Sequence, residues 1–255
     1  MFDLLKIRRR HGWAFVPDPL RASVIPPFRG RPELRPDPCT RCRRCEGVCP
    51  AAAITAEPLR IDLGRCILCG DCREACPAGA IEFTTEHRLA AFGREALITG
   101  EGVAAAAEPA ADAVRTDVRR LFGRSLKLRQ VSAGGCNGCE MELGACGNVN
   151  FDMGRYGVEF VASPRHADGV VVTGPVSENM AAALEDTWRA VPAPRLLIAV
   201  GSCAISGGVF APSPALQRGF FDEHAVDLYV PGCPAHPLTF IDGVMRLIGA
   251  HSAQL

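Results

Sequence analysis

The second half of the chain alternates between short apolar runs and longer segments whose apolar residues have helical spacing. The runs predict buried β-strands at residues 126–131, 158–162, 169–173, 196–200 and 228–230. The clearest predicted helix extends from Ser177, at an N-cap position, to Ala190, and a last helix is predicted from about Pro237 to Ile248. Alternating strands and helices predict an α/β domain with a mainly parallel, flavodoxin-like sheet.

The first half of the chain has a different pattern and predicts a separate domain. Residues 86–98 have apolar residues at helical spacing and predict a helix, whereas residues 100–113 are mostly Gly, Ala, Glu and Pro and are typical of a linker. A short helix is predicted from about Thr116 to Phe122. The predicted units are a basic N-terminal segment (1–35), a cysteine-rich domain (36–98), a linker (99–123) and the α/β domain (124–255).

A cysteine motif in the first domain occurs twice, with each copy followed by proline. The copies are Cys39-x2-Cys42-x2-Cys45-x3-Cys49-Pro50 and Cys66-x2-Cys69-x2-Cys72-x3-Cys76-Pro77. Three thiolates spaced in this way can wrap three corners of a cubane, and the fourth cysteine of each run ligates the other cluster in two-cluster ferredoxins. A structural zinc site is the alternative, but it uses separated cysteine pairs rather than a run of three.

The motif therefore predicts an α+β ferredoxin-like domain with two 4Fe–4S clusters. The predicted ligands of the first cluster are Cys39, Cys42, Cys45 and Cys76. The predicted ligands of the second are Cys66, Cys69, Cys72 and Cys49.

Four more cysteines follow three of the strands predicted in the second domain. Cys136 and Cys139 follow the first strand, and Cys203 and Cys233 each follow a later one in a loop containing glycine. Ligands bind beyond the carboxyl ends of the strands in open α/β sheets, so these loops are expected to converge on a third 4Fe–4S cluster. Taken singly, the two later cysteines would be ordinary small core residues. Cys146, which is left over, is interpreted as a packed thiol.

Composition and charge limit the remaining choices. Lys and Arg together number 28, as do Asp and Glu, so the net charge indicates no nucleic-acid partner. The basic residues nevertheless crowd the N-terminus beside apolar Phe2, Leu4, Leu5 and Ile7, which suits a membrane surface, an acidic partner or a solvated amphipathic turn. Pro17 interrupts any signal peptide, and no apolar run spans a bilayer. We expect a cytoplasmic protein.

Residues 124–248 resemble the small subunit of group 4 NiFe hydrogenases, the formate hydrogenlyase and energy-converting type, which is related to the B subunit of respiratory complex I. The matching stretches are Cys136-Asn137-Gly138-Cys139-Glu140-Met141-Glu142, Ser163-Pro164-Arg165-His166-Ala167-Asp168, Val172-Thr173-Gly174-Pro175-Val176, Gly201-Ser202-Cys203-Ala204, Gly207-Gly208-Val209-Phe210 and Val230-Pro231-Gly232-Cys233-Pro234.

Residues 1–95 are similar to the two-cluster ferredoxin subunit of the same complexes. The similarity rests on the Met1-Phe2 start, the Arg29 to Glu33 segment and both cysteine motifs. Two subunits that are normally separate thus form one polypeptide, which fixes their stoichiometry and raises their effective concentration.

The resemblance implies electron transfer to or from a NiFe site on a large partner subunit, with proton reduction as the expected direction. The complex I type usually has adjacent cysteines where this chain has two residues between Cys136 and Cys139. The implied partners are that large subunit, further soluble and membrane subunits, and a donor such as ferredoxin or a formate dehydrogenase module. The implied location is peripheral, on the inner face of the cell membrane.

Two alternatives stay open: a complex I-like quinone- or ferredoxin-linked oxidoreductase without nickel, and a free ferredoxin-like carrier or assembly protein. Four residues also have two interpretations each. Glu140 and Glu142 suit either the helix dipole or proton passage to the partner's active site. Arg165 and His166 could donate hydrogen bonds near the cluster or at the subunit contact, or they could be ordinary surface residues.

Overall fold

The computed structural model describes residues 2–12, 15–103, 116–122 and 125–249. The strands in these ranges are β1 (Pro32–Leu34), β2 (Ile54–Ala56), β3 (Leu59–Asp62), β4 (Ile81–Phe83), β5 (Ile98–Gly100), β6 (Leu126–Ser132), β7 (Val158–Phe160), β8 (Gly169–Thr173), β9 (Leu196–Val200) and β10 (Leu228–Val230). The α-helices are α1 (Phe2–His11), α2 (Arg44–Val48), α3 (Asp71–Glu74), α4 (Thr116–Phe122), α5 (Gly138–Cys146), α6 (Glu178–Ala190), α7 (Gly201–Ser206), α8 (Phe220–Glu223) and α9 (Pro237–Leu247). None of these helices is long and apolar enough to cross a bilayer.

The N-terminal domain combines small antiparallel sheets with two short helices that lie within the cysteine runs. Strands β2, β3 and β5 form one sheet, and β1 pairs with β4 in another. This is the α+β arrangement expected of a ferredoxin-like domain. Because β5 pairs with β3, the first sheet extends to Gly100, into the predicted linker. Residues 104–115 of that linker lie outside the described residues.

The C-terminal domain contains a five-stranded parallel sheet in the order β10-β9-β8-β6-β7. Numbered within the domain, this is the doubly wound order 2-1-3-4-5, so the prediction of a mainly parallel α/β sheet is confirmed. The central strands β8 and β9 are buried along their whole length, which explains their continuous apolar sequences. Helix α6 begins directly after Ser177, at the predicted position.

The prediction of a helix over residues 86–98 is wrong. Helical structure there is limited to a 3-10 turn at Glu95–Leu97, and the preceding residues cross to the C-terminal domain. Ala91 and Tyr229 exchange two backbone hydrogen bonds of 2.9 and 2.8 Å. The Arg246 guanidinium also donates to the Ala90 carbonyl at 2.8 Å. The apolar residues with helical spacing therefore pack between the domains.

The two domains also share a hydrophobic cluster. Leu63 and Cys66 from the loop after β3 are buried together with Ala199, Ala204 and Ile205 from β9 and α7. The backbone at Gly64 lies close against the side chain of Ile205, because a methyl group at Gly64 would lie 2.8 Å from the Cγ2 atom of Ile205. The loop carrying Cys66 is thus seated directly on the segment carrying Cys203.

Candidate metal centres

The eight cysteines of the N-terminal domain line two separate cavities. One is lined by Cys39, Cys42, Cys45 and Cys76. The other is lined by Cys49, Cys66, Cys69 and Cys72. Each cavity therefore combines three cysteines of one run with the fourth cysteine of the other run.

Backbone N–H groups point at several of these sulfurs. Ala53 N–H donates to the Cys49 sulfur at 3.2 Å, and Ala80 N–H donates to the Cys76 sulfur at 3.3 Å, so the two halves repeat the same contact. Leu68 N–H lies 3.4 Å from the Cys66 sulfur. Such donors stabilise negative charge on sulfur.

The other four predicted ligands lie in loops and short helices at the carboxyl edge of the parallel sheet. Cys136 and Cys139 follow β6, Cys203 lies in α7 directly after β9, and Cys233 follows β10. Because β6 borders both β7 and β8, the first pair lies where the strand order reverses. Gly201 lets two of the loops approach, since a methyl group there would lie 2.5 Å from the Cys139 sulfur.

Burial and mutual repulsion act on these thiols. Burial raises the pKa of Cys139 to about 12, and the charges of Cys233 and Cys203 act in the same direction. Burial likewise raises the pKa of Cys203 to about 11, with Cys233 and Cys136 contributing. The four sulfurs thus lie close enough to interact electrostatically. Without a bound cation the buried thiols stay protonated at neutral pH, so metal binding must release protons.

In the N-terminal cavities, the pKa is raised for some cysteine thiols and lowered for another. Burial raises the pKa of Cys66 and of Cys72 to about 12. In contrast, the backbone N–H of Arg44 and the Thr40 hydroxyl lower the pKa of the exposed Cys42. Each cavity presents four soft sulfur donors with flanking N–H groups or buried apolar walls, and this donor chemistry fits a 4Fe–4S cluster.

Two residues beside the C-terminal cysteines were not predicted from the sequence. The guanidinium of Arg218 donates to the backbone carbonyls of Cys203 at 3.0 Å and Ala204 at 2.8 Å, and its positive charge lowers the pKa of Cys203 against the effect of burial. The Ser202 hydroxyl donates to the Cys66 carbonyl at 2.7 Å. Arg218 lies outside the matching stretches, and Ser202 lies in one of them but was assigned no role, because both contacts depend on segments distant in sequence.

The acidic residues after Cys139 have different surroundings. The Glu140 carboxylate accepts hydrogen bonds from the hydroxyls of Ser132 at 2.5 Å and Thr173 at 2.8 Å. It also lies in the first turn of α5, where the helix dipole favours a carboxylate. Burial raises the pKa of Glu142.

The remaining residues singled out from the sequence lie either on the surface or inside the core. Arg165 and His166 are exposed on a 3-10 turn after β7, at the end of the sheet opposite β10. The Cys146 thiol is fully buried and lies 3.4 Å from the Glu142 carbonyl.

A ferredoxin-like domain packed against a parallel sheet with cysteines at its carboxyl edge defines an iron–sulfur protein of the electron-transferring oxidoreductases. A family model described as NADH ubiquinone oxidoreductase, 20 Kd subunit, matches residues 136–247, and a 4Fe-4S binding domain matches residues 59–82. The chain belongs to this 20 kDa subunit family. It is therefore a subunit of an oxidoreductase complex of the hydrogenase and complex I type.

Three relatives illustrate the range of that family. The probable membrane-bound hydrogenase subunit mbhJ of Pyrococcus furiosus is 38% identical over 126 residues, 49% of this chain and 75% of that protein. Formate hydrogenlyase subunit 7 of Escherichia coli is 35% identical over 136 residues, 53% of each chain. The B subunit of the NADH-quinone oxidoreductase of Desulfovibrio desulfuricans is 45% identical over 109 residues, 43% of this chain and 59% of that protein.

Proposed function

We propose that this chain transfers electrons through three 4Fe–4S clusters to or from a NiFe site on a large partner subunit of a membrane-associated hydrogenase complex. The observation that carries the proposal is the placement of Cys136 and Cys139, with two residues between them, at the switch point of the sheet beside Cys203 and Cys233. That spacing matches the hydrogenase type of small subunit, as set out above, and two of the relatives are named as subunits of hydrogen-metabolising complexes.

A second candidate function is electron transfer in a complex I-like quinone- or ferredoxin-linked oxidoreductase without nickel. The observation that favours it is the identity of 45% to the B subunit of an NADH-quinone oxidoreductase, over a shorter stretch. The two candidates share the same clusters and differ in the metal content of the large partner subunit.

The proposed ligand sets follow the grouping of the sulfurs. The first cluster would be held by Cys39, Cys42, Cys45 and Cys76. The second would be held by Cys66, Cys69, Cys72 and Cys49. The third would be held by Cys136, Cys139, Cys203 and Cys233. The proposed domains are 36–98, extended to the end of β5 at Gly100, and 124–255, preceded by the segment 1–35 and joined by a linker within 99–123.

When bound, a 4Fe–4S cluster accepts and releases one electron at a potential set by its surroundings. The residues of the chain provide those surroundings. The N–H groups of Ala53 and Ala80 donate to sulfur and offset negative charge, which raises a reduction potential. Arg218 has the same electrostatic effect on Cys203. Buried apolar side chains such as Ile61 exclude water from the second cavity.

The C-terminal site has an exposed side that suits a large partner subunit. Cys136 and Cys233 are exposed, and so are the apolar side chains of Met141 (69%) and Phe210 (45%) in the neighbouring segments. Contact with a partner would cover these apolar groups and exclude water from the cluster. At the other end, the exposed Cys42 offers an entry point for electrons from a ferredoxin or a formate dehydrogenase module.

The N-terminal helix supports the proposed peripheral location on the inner face of the cell membrane. In α1, Phe2 and Leu4 are 74% and 71% exposed, and the last turn carries Arg8, Arg9 and Arg10. Apolar and basic groups together favour an anionic lipid surface. Co-sedimentation of the full chain with anionic vesicles tests this proposal, which is wrong if replacing the three arginines with glutamine leaves binding unchanged.

Iron analysis of the purified chain tests the cluster assignment. Three cubanes require about 12 iron atoms per chain, and Cys136→Ser should leave about 8. Cys146→Ala is the matched control, because the proposal leaves that thiol out of all three clusters, and it should retain about 12. An unchanged iron content in Cys136→Ser would show that the assignment is wrong. Nickel in the large subunit that co-purifies supports the first candidate function, and its absence supports the second.

A further inference from the structure

The contact between the two domains brings a predicted ligand of one cluster close to the loop of another. Ser202 lies in α7, immediately before Cys203. Its hydroxyl donates a hydrogen bond of 2.7 Å to the backbone carbonyl of Cys66, 136 residues away in sequence. One hydrogen bond therefore connects a residue of the second site to the neighbour of a residue of the third.

Ser202 also hydrogen-bonds to the loop that carries Cys233, another predicted ligand of the C-terminal site. Its backbone N–H donates to the carbonyl of Gly232 at 2.9 Å, and its hydroxyl lies 3.2 Å from the same oxygen. Gly232 directly precedes Cys233. A hydroxyl has a single proton, and the shorter of its two contacts is the one to Cys66.

The surroundings of this contact are dry and tightly packed. Ser202 is 1% exposed, and it lies next to the hydrophobic cluster that Leu63 shares with Ala204. The close approach at Gly64 leaves no space for a side chain between the domains. Such packing holds the hydrogen-bond length constant, because the two backbones cannot separate without exposing this cluster.

The two N-terminal sites differ in their hydrogen bonds to the C-terminal domain. Both cavities are lined by residues of the N-terminal domain, between Cys39 and Phe83. Among the described residues, the predicted cluster ligand of the N-terminal domain that hydrogen-bonds directly to the C-terminal domain is Cys66, in the second site. The geometry thus distinguishes two cysteine sets that are equivalent in the sequence repeat.

We propose that the Ser202 hydroxyl is the electronic connection between the second and third cluster sites, a proposal that rests on the proposed function. The path runs from Cys66 through its carbonyl oxygen and the Ser202 hydroxyl to Cys203. Tunnelling decays less steeply along covalent and hydrogen bonds than across a gap of equal length. When clusters occupy both sites, one electron would pass from the second site to the third, and the serine proton would stay on its oxygen.

The test compares Ser202→Ala with two other variants of the full chain, after all three clusters have been assembled. Ser202→Thr retains a hydroxyl. Ser206→Ala is the matched control, because the Ser206 hydroxyl lies on the same helix and bonds the Ser202 carbonyl at 3.0 Å rather than a residue of the N-terminal domain. Iron content, the electron paramagnetic resonance signal and the reduction potential of each cluster are measured first.

The deciding readout is the rate at which the signal of the reduced third cluster appears in samples frozen after photoreduction. Direct reduction of that cluster is measured in a Cys69→Ser variant, which disrupts the proposed second cluster, and is subtracted. Ser202→Ala should keep its iron, signals and potentials but transfer electrons about tenfold more slowly, as expected for loss of a residue outside the ligand shell. Ser202→Thr should restore much of the rate, and Ser206→Ala should leave it unchanged.

Three results would overturn the inference. They are an unchanged rate in Ser202→Ala, an equal decrease in Ser206→Ala, and loss of the third cluster in Ser202→Ala, which would make the hydroxyl a structural support. Failure of the proposed function would look different, because the wild-type chain itself would then lack about 12 iron atoms or the three signals.

Discussion

Replacing Gly201 with alanine should remove the proposed third cluster without changing any of its proposed ligands. Gly201 has a φ of +87°, and it is the first residue of α7 after β9. A methyl group at this position would lie 2.5 Å from the Cys139 sulfur, whereas non-bonded heavy atoms are usually separated by about 3.5–4.0 Å. The sulfur must therefore move by about 1 Å or more, well beyond the roughly 0.2 Å tolerance of a metal–ligand distance.

The free-energy cost has two parts. An alanine with positive φ costs about 1–2 kcal/mol, and crowding in a packed region costs about 1–3 kcal/mol. The sum, about 2–5 kcal/mol, is a large part of the roughly 5–15 kcal/mol by which a domain is stable. We therefore expect a lower unfolding temperature as well as loss of about 4 of the 12 iron atoms.

Gly207→Ala is the matched control for this experiment. Gly207 has nearly the same φ, +86°, and an added methyl group would lie 2.9 Å from the Cα atom of Ala211 rather than against a cysteine. Both variants should be less stable in thermal unfolding, but Gly207→Ala should retain all of its iron. If Gly201→Ala also keeps about 12 iron atoms and an unchanged signal from the third cluster, the convergence of the loops at Cys139 is wrong.

Two further predictions concern groups near this site. Glu140→Ala removes the acceptor shared by Ser132 and the buried Thr173, so the free energy of unfolding should fall by about 1–3 kcal/mol. Glu140→Gln keeps an acceptor oxygen and should therefore lower the free energy of unfolding by less. Equal losses for the two variants in chemical denaturation would contradict this role of Glu140. Burial and the neighbouring His87 lower the pKa of His236 from 6.5 to about 4, so its contribution to stability is complete above pH 6.5 and is lost as the pH falls towards 4. His236→Asn keeps a cap acceptor for Leu238 N–H. In this variant the free energy of unfolding should lose a pH dependence of up to about 1.4 kcal/mol per pH unit, measured by unfolding between about pH 5 and 8. If the pH dependence is unchanged in the variant, it arises from other titrating groups.

Local sequence predicted those parts of the molecule whose structure depends on neighbouring residues. The cysteine spacing suits the size of a cubane, and the expected grouping of Cys49 with Cys66 rather than with Cys45 came from the known ligation pattern of two-cluster ferredoxins. The strands of the parallel sheet were predicted at nearly the observed positions, because strands buried on both faces have uninterrupted apolar sequences. A switch-point location for Cys136 then followed from the general behaviour of such sheets.

The failures occurred where distant segments decide the structure. Leu89 and Ala90 have helical spacing because they are buried between the domains, where Ala91 pairs with Tyr229 instead of continuing a helix. Periodicity cannot distinguish these two reasons for burying the same residues. The contact made by Ser202 was missed for a related reason, because its partner Cys66 lies 136 residues away.

The shared hydrophobic cluster bears on the expected fusion of two subunits in one chain. A tether alone raises the effective concentration of its two ends but leaves their separation variable, whereas electron transfer needs a constant separation. In this chain the constant separation comes from Leu63 and Cys66 packed with Ala204 and Ile205. The mbhJ relative matches about half of this chain, and the 20 kDa subunit model matches residues 136–247. If the ferredoxin-like half is supplied by a separate protein in such relatives, the same contact must form between subunits. We therefore infer that the linker serves assembly and that the interface around Gly64 sets the distance between the second and third cluster sites.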